Sequence, residues 1–242
     1  MTEPDGSAGG AETASGPRVI VLALSSPQEA FEALAAKAMW SLALLLLVVL
    51  SVAAVGTGFS KVTPEAYLRA VEESGREVPP EIAENPERLL GFTRVATIVG
   101  AAAVVPIVYF ATAGIFLIAL KLAGSDLSYR QSLSVTVHGM LPMGVAAVIG
   151  IVIALARDTI DPIELEGGAL VMSNLAFLAG DETSKAMRAL LTSVDLFSVW
   201  SIWLLALGYR ILGRVSAVSA WTSVLVVWIA GVAIKIGLAA SF

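Results

Sequence analysis

Three ionisable side chains fall inside or at the edge of long apolar stretches of this 242-residue chain: His138, Asp195 and Lys235. A charge in hydrocarbon is costly, so each such group is a candidate for proton handling, ligand recognition or a register-fixing ion pair. His138 is the only histidine, which rules out a metal cluster or a catalytic triad built on a second one. It precedes Pro142 by four residues, so the proline frees the His138 carbonyl from its helical partner. Gly139 and Gly144 flank the same place, and a kink or a locally unwound turn is expected there; Pro106 offers a similar kink earlier in the chain. The bland reading of Asp195 is a carboxylate at the positive end of a helix dipole, and that of Lys235 an ammonium snorkelling to the headgroups.

Enzyme chemistry finds no support in the residues. HExxH, GxSxG and Walker A patterns are missing, and an intramembrane aspartyl protease needs two aspartates where only Asp195 is present. Gly56-Thr57-Gly58 starts like a dinucleotide loop but ends an apolar run instead of a strand. There is no cysteine, which excludes disulfides, thiol catalysis and cysteine-ligated metals. No cofactor or metal is expected, and the chain reads as a non-enzyme.

The elements that must position these residues are helices in lipid. Ala38–Ser60, Val95–Leu120, Gln131–Ala156 and Val215–Ile234 carry no charge, and Ala189–Tyr209 carries only Asp195. Each is long enough to cross a roughly 30 Å hydrocarbon core at about 1.5 Å per residue. A hydrophobic share of 57% and a charged share of 14% lie outside the soluble globular range. The fold class expected is therefore an all-α integral membrane protein, a five-span helical bundle. The net charge of -5 argues against nucleic acid as a partner.

Met1–Gly16 is Gly/Ala/Ser/Thr-rich with Glu3, Asp5 and Glu12 and lacks a basic n-region. Residues 1–22 are expected as a disordered tail and 23–242 as one membrane domain, its first span acting as an uncleaved signal. Ser26-Pro27-Gln28-Glu29 fits a capping box. With Ala30, Phe31, Leu34 and Ala38 at helical spacing it opens either an amphipathic interfacial helix or an extension of the first span.

Between spans, Thr63-Pro64-Glu65 starts a helix, Gly75 is placed to end it, and Pro79-Pro80 and Pro86 break the chain. The apolar patch Ala169–Ala179 is too short to span and reads as a re-entrant or surface helix. The two shortest loops, with Lys121 and Arg130 and with Arg210 and Arg214, are net basic; the two long loops are acidic. Weighting the short loops places the N-terminus in the cytoplasm and the C-terminus outside. Asp195 and Lys235 then reach similar depth near the outer face, offset by roughly 9 Å along the helix axes at 1.5 Å per residue, within reach of an ion pair.

Ala96 and Gly100, Ala146 and Gly150, and Ala233, Gly237 and Ser241 are small-xxx-small pairs that allow close helix approach. Trp200, Trp203, Trp221 and Trp228 fall in the last two spans as anchors or packing groups.

The order of elements resembles that of bacterial Yip-domain proteins, the Ypt/Rab-interacting family. Ser26-Pro27-Gln28-Glu29-Ala30-Phe31 is similar to the family's entry helix, and Tyr129-Arg130-Gln131-Ser132-Leu133 leading to Pro142 to its third-span entry. Asp195, Phe197 and Trp200, followed by Leu204, Gly208 and Ser216, resemble its fourth-span signature. Ala38-Met39 departs from the proline that many relatives carry at the first span. The resemblance covers Ser26 to the C-terminus and implies a five-span domain with a cytoplasmic N-terminus. Eukaryotic relatives bind Rab-type GTPases through a longer N-terminal region that this chain does not match, so that role is not carried over.

The expected function is a non-enzymatic membrane protein of the cell (inner) membrane that organises lipids or membrane partners. The lipid bilayer is its environment, and other membrane proteins or further copies of the chain are its candidate partners. The alternative is a small transporter or channel component with a polar path near His138, Asp195 and Lys235.

Overall fold

The computed structural model describes residues 15–73, 85–166, 170–180 and 183–241. The first helices described are α1 (Gly16–Ser25) and α2 (Pro27–Ala36), joined at Ser26. α1 lies largely within the stretch expected as tail. Pro17 starts it, and its apolar run places Val19 and Ala23, four apart, on a face that is fully buried. The Ser26 hydroxyl makes no capping bond to α2. α2 keeps Gln28, Glu29 and Glu32 outward and buries Ala30, Phe31 and Leu34 completely. It is thus amphipathic, but its apolar face meets protein, and Lys37–Trp40 separate it from the first span.

Among the described residues five helices, or helix pairs, are long and apolar enough to cross a membrane. They are α3 (Ser41–Ser60), α5 (Pro86–Leu122), the broken pair α6 (Tyr129–Gly139) and α7 (Leu141–Ala156), α10 (Leu196–Gly213) and α11 (Ala217–Ser241). Val99, Ile107, Ile118, Val226, Ile229 and Leu238 are among the large apolar side chains these helices leave exposed, as a lipid solvent requires and water does not. Short helices α4 (Pro64–Glu73), α8 (Pro162–Glu166) and α9 (Lys185–Leu191) fill the two long connections.

Several boundaries differ from those read in the sequence. Pro86 opens α5 instead of breaking the chain, because Asn85 caps the helix by accepting from Arg88 N and proline fits its first turn. Within the patch Ala169–Ala179 the described residues form a 3-10 turn at Leu175–Leu178, preceded by a single antiparallel bridge from Asn174 to Asp195. The fourth span begins at Leu196, since α9 ends at Leu191 and Asp195 starts a new helix. Gly75 and Pro79-Pro80 lie outside the described residues. At Pro142 the third span is broken: α6 stops at Gly139, Met140 forms a turn, and α7 restarts with Pro142 in its first turn. Pro106 sits inside α5 without interrupting it.

α10 stands at the centre, packed against α2, α6, α7 and α11; α3 packs on α5 and α7. The glycines that press helices together are not the expected ones. A Cβ at Gly100 would meet nothing within 4 Å and one at Gly150 only an ordinary contact with Val171, whereas one at Gly208 would lie 2.6 Å from the Phe31 ring. The two long connections are tied at one end of the bundle: Ile160 N donates to Lys61 O at 2.9 Å, and the Arg94 guanidinium donates to Phe59 O at 2.9 Å near the end of α3.

Candidate functional site

Among the described residues two clusters of polar side chains stand out in the bundle, and α10 links them. The first is the seam between α6 and α10. α6 begins with a full capping box, Ser128 with Gln131, and buries every residue from Ser132 to Gly139. Ser132, Ser134, Thr136 and His138 would be costly there without partners, and each has one. Ser132 Oγ donates to Ala113 O on α5 at 2.7 Å, Ser134 Oγ to Arg130 O at 2.8 Å, and Thr136 Oγ1 to Ser132 O at 2.9 Å. With those protons committed, the fully buried Tyr209 hydroxyl donates to Thr136 Oγ1 at 2.8 Å and also approaches Ser132 Oγ at 3.1 Å. His138 Nδ1 donates to Ser134 O on its own helix at 2.9 Å. Gly139 allows this closeness: a Cβ there would lie 2.6 Å from Leu205 Cδ2 on α10.

The second place is a cavity of about 750 Å³ at the opposite end of α10. Ala54 and Val55 of α3 and Met143, Ala146 and Gly150 of α7 give it an apolar wall, which is roomy because three of those five side chains are small. Thr192, Asp195, Glu164 and Lys235 are among its polar lining, together with Tyr67, Thr93, Thr97, Ser173 and Asn174. Asp195 is the N-cap of α10: its carboxylate accepts from Phe197 N at 2.8 Å and Ser198 N at 3.0 Å, and also from the Ser198 hydroxyl. Glu164 pairs with Arg157. The Lys235 ammonium donates to Thr192 Oγ1 at 3.0 Å and Ser193 Oγ at 3.1 Å, near enough to Asp195 to feel its charge but bonded to hydroxyls.

Of the three ionisable residues singled out in the sequence, Asp195 and Lys235 therefore line one cavity, and His138 does not. Gly139, next to His138, packs at the level of Leu205, ten residues along α10 from Asp195 and so about 15 Å away at 1.5 Å per residue. Among the family-motif residues, Phe197 is buried and lines the cavity, Trp200 packs against the core, and Gly208 receives Phe31. Sequence reasoning missed Tyr209, Ser132 and Thr136. Their signal is a run of polar residues at every second position of α6, which alternates like a strand yet sits in a span. Thr192 and Ser193 were also missed; they stand three and two residues before the Asp195 cap, where α9 turns into α10. Among the described residues no group of three His, Cys, Asp or Glu is placed to hold a metal ion.

No curated protein and no solved structure matches the chain. A family model described as the Yip1 domain matches residues 21–238, from the middle of α1 to near the end of α11. With the apolar helices, the central α10 and its Asp195 cap in view, that match over nearly the whole chain places the protein in the Yip1 domain family.

Proposed function

We propose that this Yip1-domain chain is a multi-pass membrane protein that works without catalysis, holding lipids or membrane partners against its bundle. One observation carries this reading: the polar seam is closed on itself. Among the described residues the cavity stops short of His138, which packs about ten residues further along α10 than Asp195. A transport path needs polar groups that face one another through a continuous, hydrated route. Here the seam's Ser132, Ser134, Thr136, His138 and Tyr209 are each satisfied locally, and Ser201 on α10 is the buried hydroxyl left without a partner among the described residues, so the transporter alternative is not favoured. Nucleic acid is no partner on this reading; lipid, other membrane proteins or further copies of the chain are.

The location we propose is the cell (inner) membrane of a bacterium, with the N-terminus in the cytoplasm and the C-terminus outside. The short connections carrying Lys121 with Arg130 and Arg210 with Arg214 support that orientation.

Reconstitution into liposomes tests the function. Passive permeation of protons, potassium and small solutes is expected to equal that of protein-free vesicles, and sustained solute flux overturns the reading. A photo-crosslinker on the exposed face of α1, at Val21, is expected to give a small set of discrete adducts in native membranes. Labelling that merely follows bulk lipid composition counts against an organising role. Tags on both ends should fall on opposite sides of the membrane.

A further inference from the structure

Among the described residues the ammonium at the mouth of the cavity is hydrogen-bonded to hydroxyls, and the Asp195 carboxylate acts on it through charge alone. Asp195 already accepts two backbone N–H groups and the Ser198 hydroxyl at the positive end of the α10 dipole, and Glu164 is engaged by Arg157. Among the described residues Lys235 bonds the Thr192 and Ser193 hydroxyls, two acceptors for an ammonium with three N–H donors. A lysine ammonium bonded to neutral oxygens beside an apolar chamber has the charge and a spare donor for an anion.

Depth says which anion. Lys235 bonds Thr192 and Ser193, which stand just ahead of Leu196, the first residue of the fourth span, so the ammonium lies level with the start of α10. Spans meet the headgroup layer at their ends, so the anion within reach at that level is a lipid phosphate. The chamber behind it is walled by Ala54, Val55, Met143 and Ala146, and its volume of about 750 Å³ falls within the usual range for ligand pockets, about 300–1,000 Å³.

We propose that this cavity is a phospholipid site, in which Lys235, braced by Thr192 and Ser193, binds the phosphate of one lipid and an acyl chain lies between α3 and α7. The proposal rests on the reading that the protein works by holding lipids or partners, and makes the occupant specific. Phosphate recognition comes from one ammonium presented at a fixed place; chain recognition comes from small residues that leave room. Ala146 is the position where room is easily removed.

Full-length protein stripped of lipid in detergent, then offered dioleoylphosphatidic acid or dioleoylglycerol, separates the two contributions by native mass spectrometry. Phosphatidic acid should be retained one to one, and dioleoylglycerol, with the same chains and no phosphate, about tenfold less, the loss of one charge-assisted hydrogen bond. Lys235→Met should lower phosphatidic acid retention about tenfold while leaving dioleoylglycerol unchanged. Lys235→Arg should restore it, and Ala146→Phe should lower both. If Lys235→Met loses both lipids because it misfolds, the wild-type preference for phosphatidic acid over dioleoylglycerol decides alone.

Equal retention of the two lipids by wild type, or of phosphatidic acid by wild type and a folded Lys235→Met, overturns the proposal. So does displacement by sodium oleate at the same concentration, which would mark a fatty-acid site, or by inorganic phosphate alone, which would mark a soluble-anion site. Solute flux in liposomes would end the broader organising role while leaving lipid retention intact. Failed retention without flux ends only the lipid site.

Discussion

Gly208 on α10 and Gly231 on α11 sit in neighbouring helices of the same bundle, yet a Cβ at the first would lie 2.6 Å from the Phe31 ring and 2.7 Å from Val135, and at the second would meet nothing within 4 Å. The contrast extends to whole helices: half of the spanning window of α10 is buried inside the protein, against 11% for α11. Lipid tails are as apolar as leucine, so burial in a membrane protein is not driven by greasiness. It follows close packing and the satisfaction of polar groups. The α6–α10 seam has both, while α11 faces outward over most of its length and meets the protein's polar chemistry chiefly through Lys235.

The sharpest way to break this comparison is to fill the seam. Gly208→Leu is expected to cost about 3 kcal/mol, the upper end of ordinary overpacking, because both neighbours are fully buried and one is a rigid ring. Gly231→Leu should stay within about 0.5 kcal/mol. Unfolding of the two variants in mixed micelles with rising SDS reads the difference directly; equal losses would mean that the seam does not hold the fold.

A hydrogen bond outside the membrane-crossing pattern comes next. Ser125 Oγ donates to Gly213 O at 2.7 Å and accepts from Leu127 N at 3.2 Å, pinning the α5–α6 connection to the end of α10. Ser125→Ala leaves a buried donor and a buried acceptor unmatched, which should cost about 2 kcal/mol in the same titration. Within the seam, Tyr209→Phe should cost about 1 kcal/mol, since Ser132 and Thr136 keep their backbone acceptors when the phenol is lost. Thr136→Val should cost less in that background than alone, because the pair shares one bond.

The spans themselves were legible because uninterrupted apolarity and helix rise are properties of sequence alone. So was the break at Pro142, where a missing N–H and a clashing ring act locally. α2 illustrates what was not. Its apolar stripe of Ala30, Phe31 and Leu34 was plain, but the stripe looks the same whether it faces lipid headgroups or a glycine notch on α10, a hundred and more residues away. The small-residue pairs misled for the same reason: Ala96 and Gly100 have the spacing for close approach, and nothing in spacing says whether a helix stands opposite. Tyr209 and Ser132 belong to different spans and become a network only after packing. Asp195 and Lys235 were expected at similar depth and line one cavity, yet the sequence does not tell which short side chains the ammonium bonds there.

That last point gives the smallest and most discriminating expectation. If Asp195 acts chiefly as the cap of α10, its shape and its acceptor oxygen matter more than its charge. Asp195→Ala should then cost about 1 kcal/mol, whereas Asp195→Asn, an equally good cap, should cost a few tenths. Lys235→Met should add its own small loss independently, because the ammonium's bonds go to Thr192 and Ser193. In a double-mutant cycle the coupling between Asp195→Asn and Lys235→Met is expected to fall below about 0.5 kcal/mol, the margin within which independent sites add. A coupling well above that would make the two residues an ion pair in lipid. The ammonium would then be committed to the carboxylate, and the open end of the bundle would be as closed as the seam.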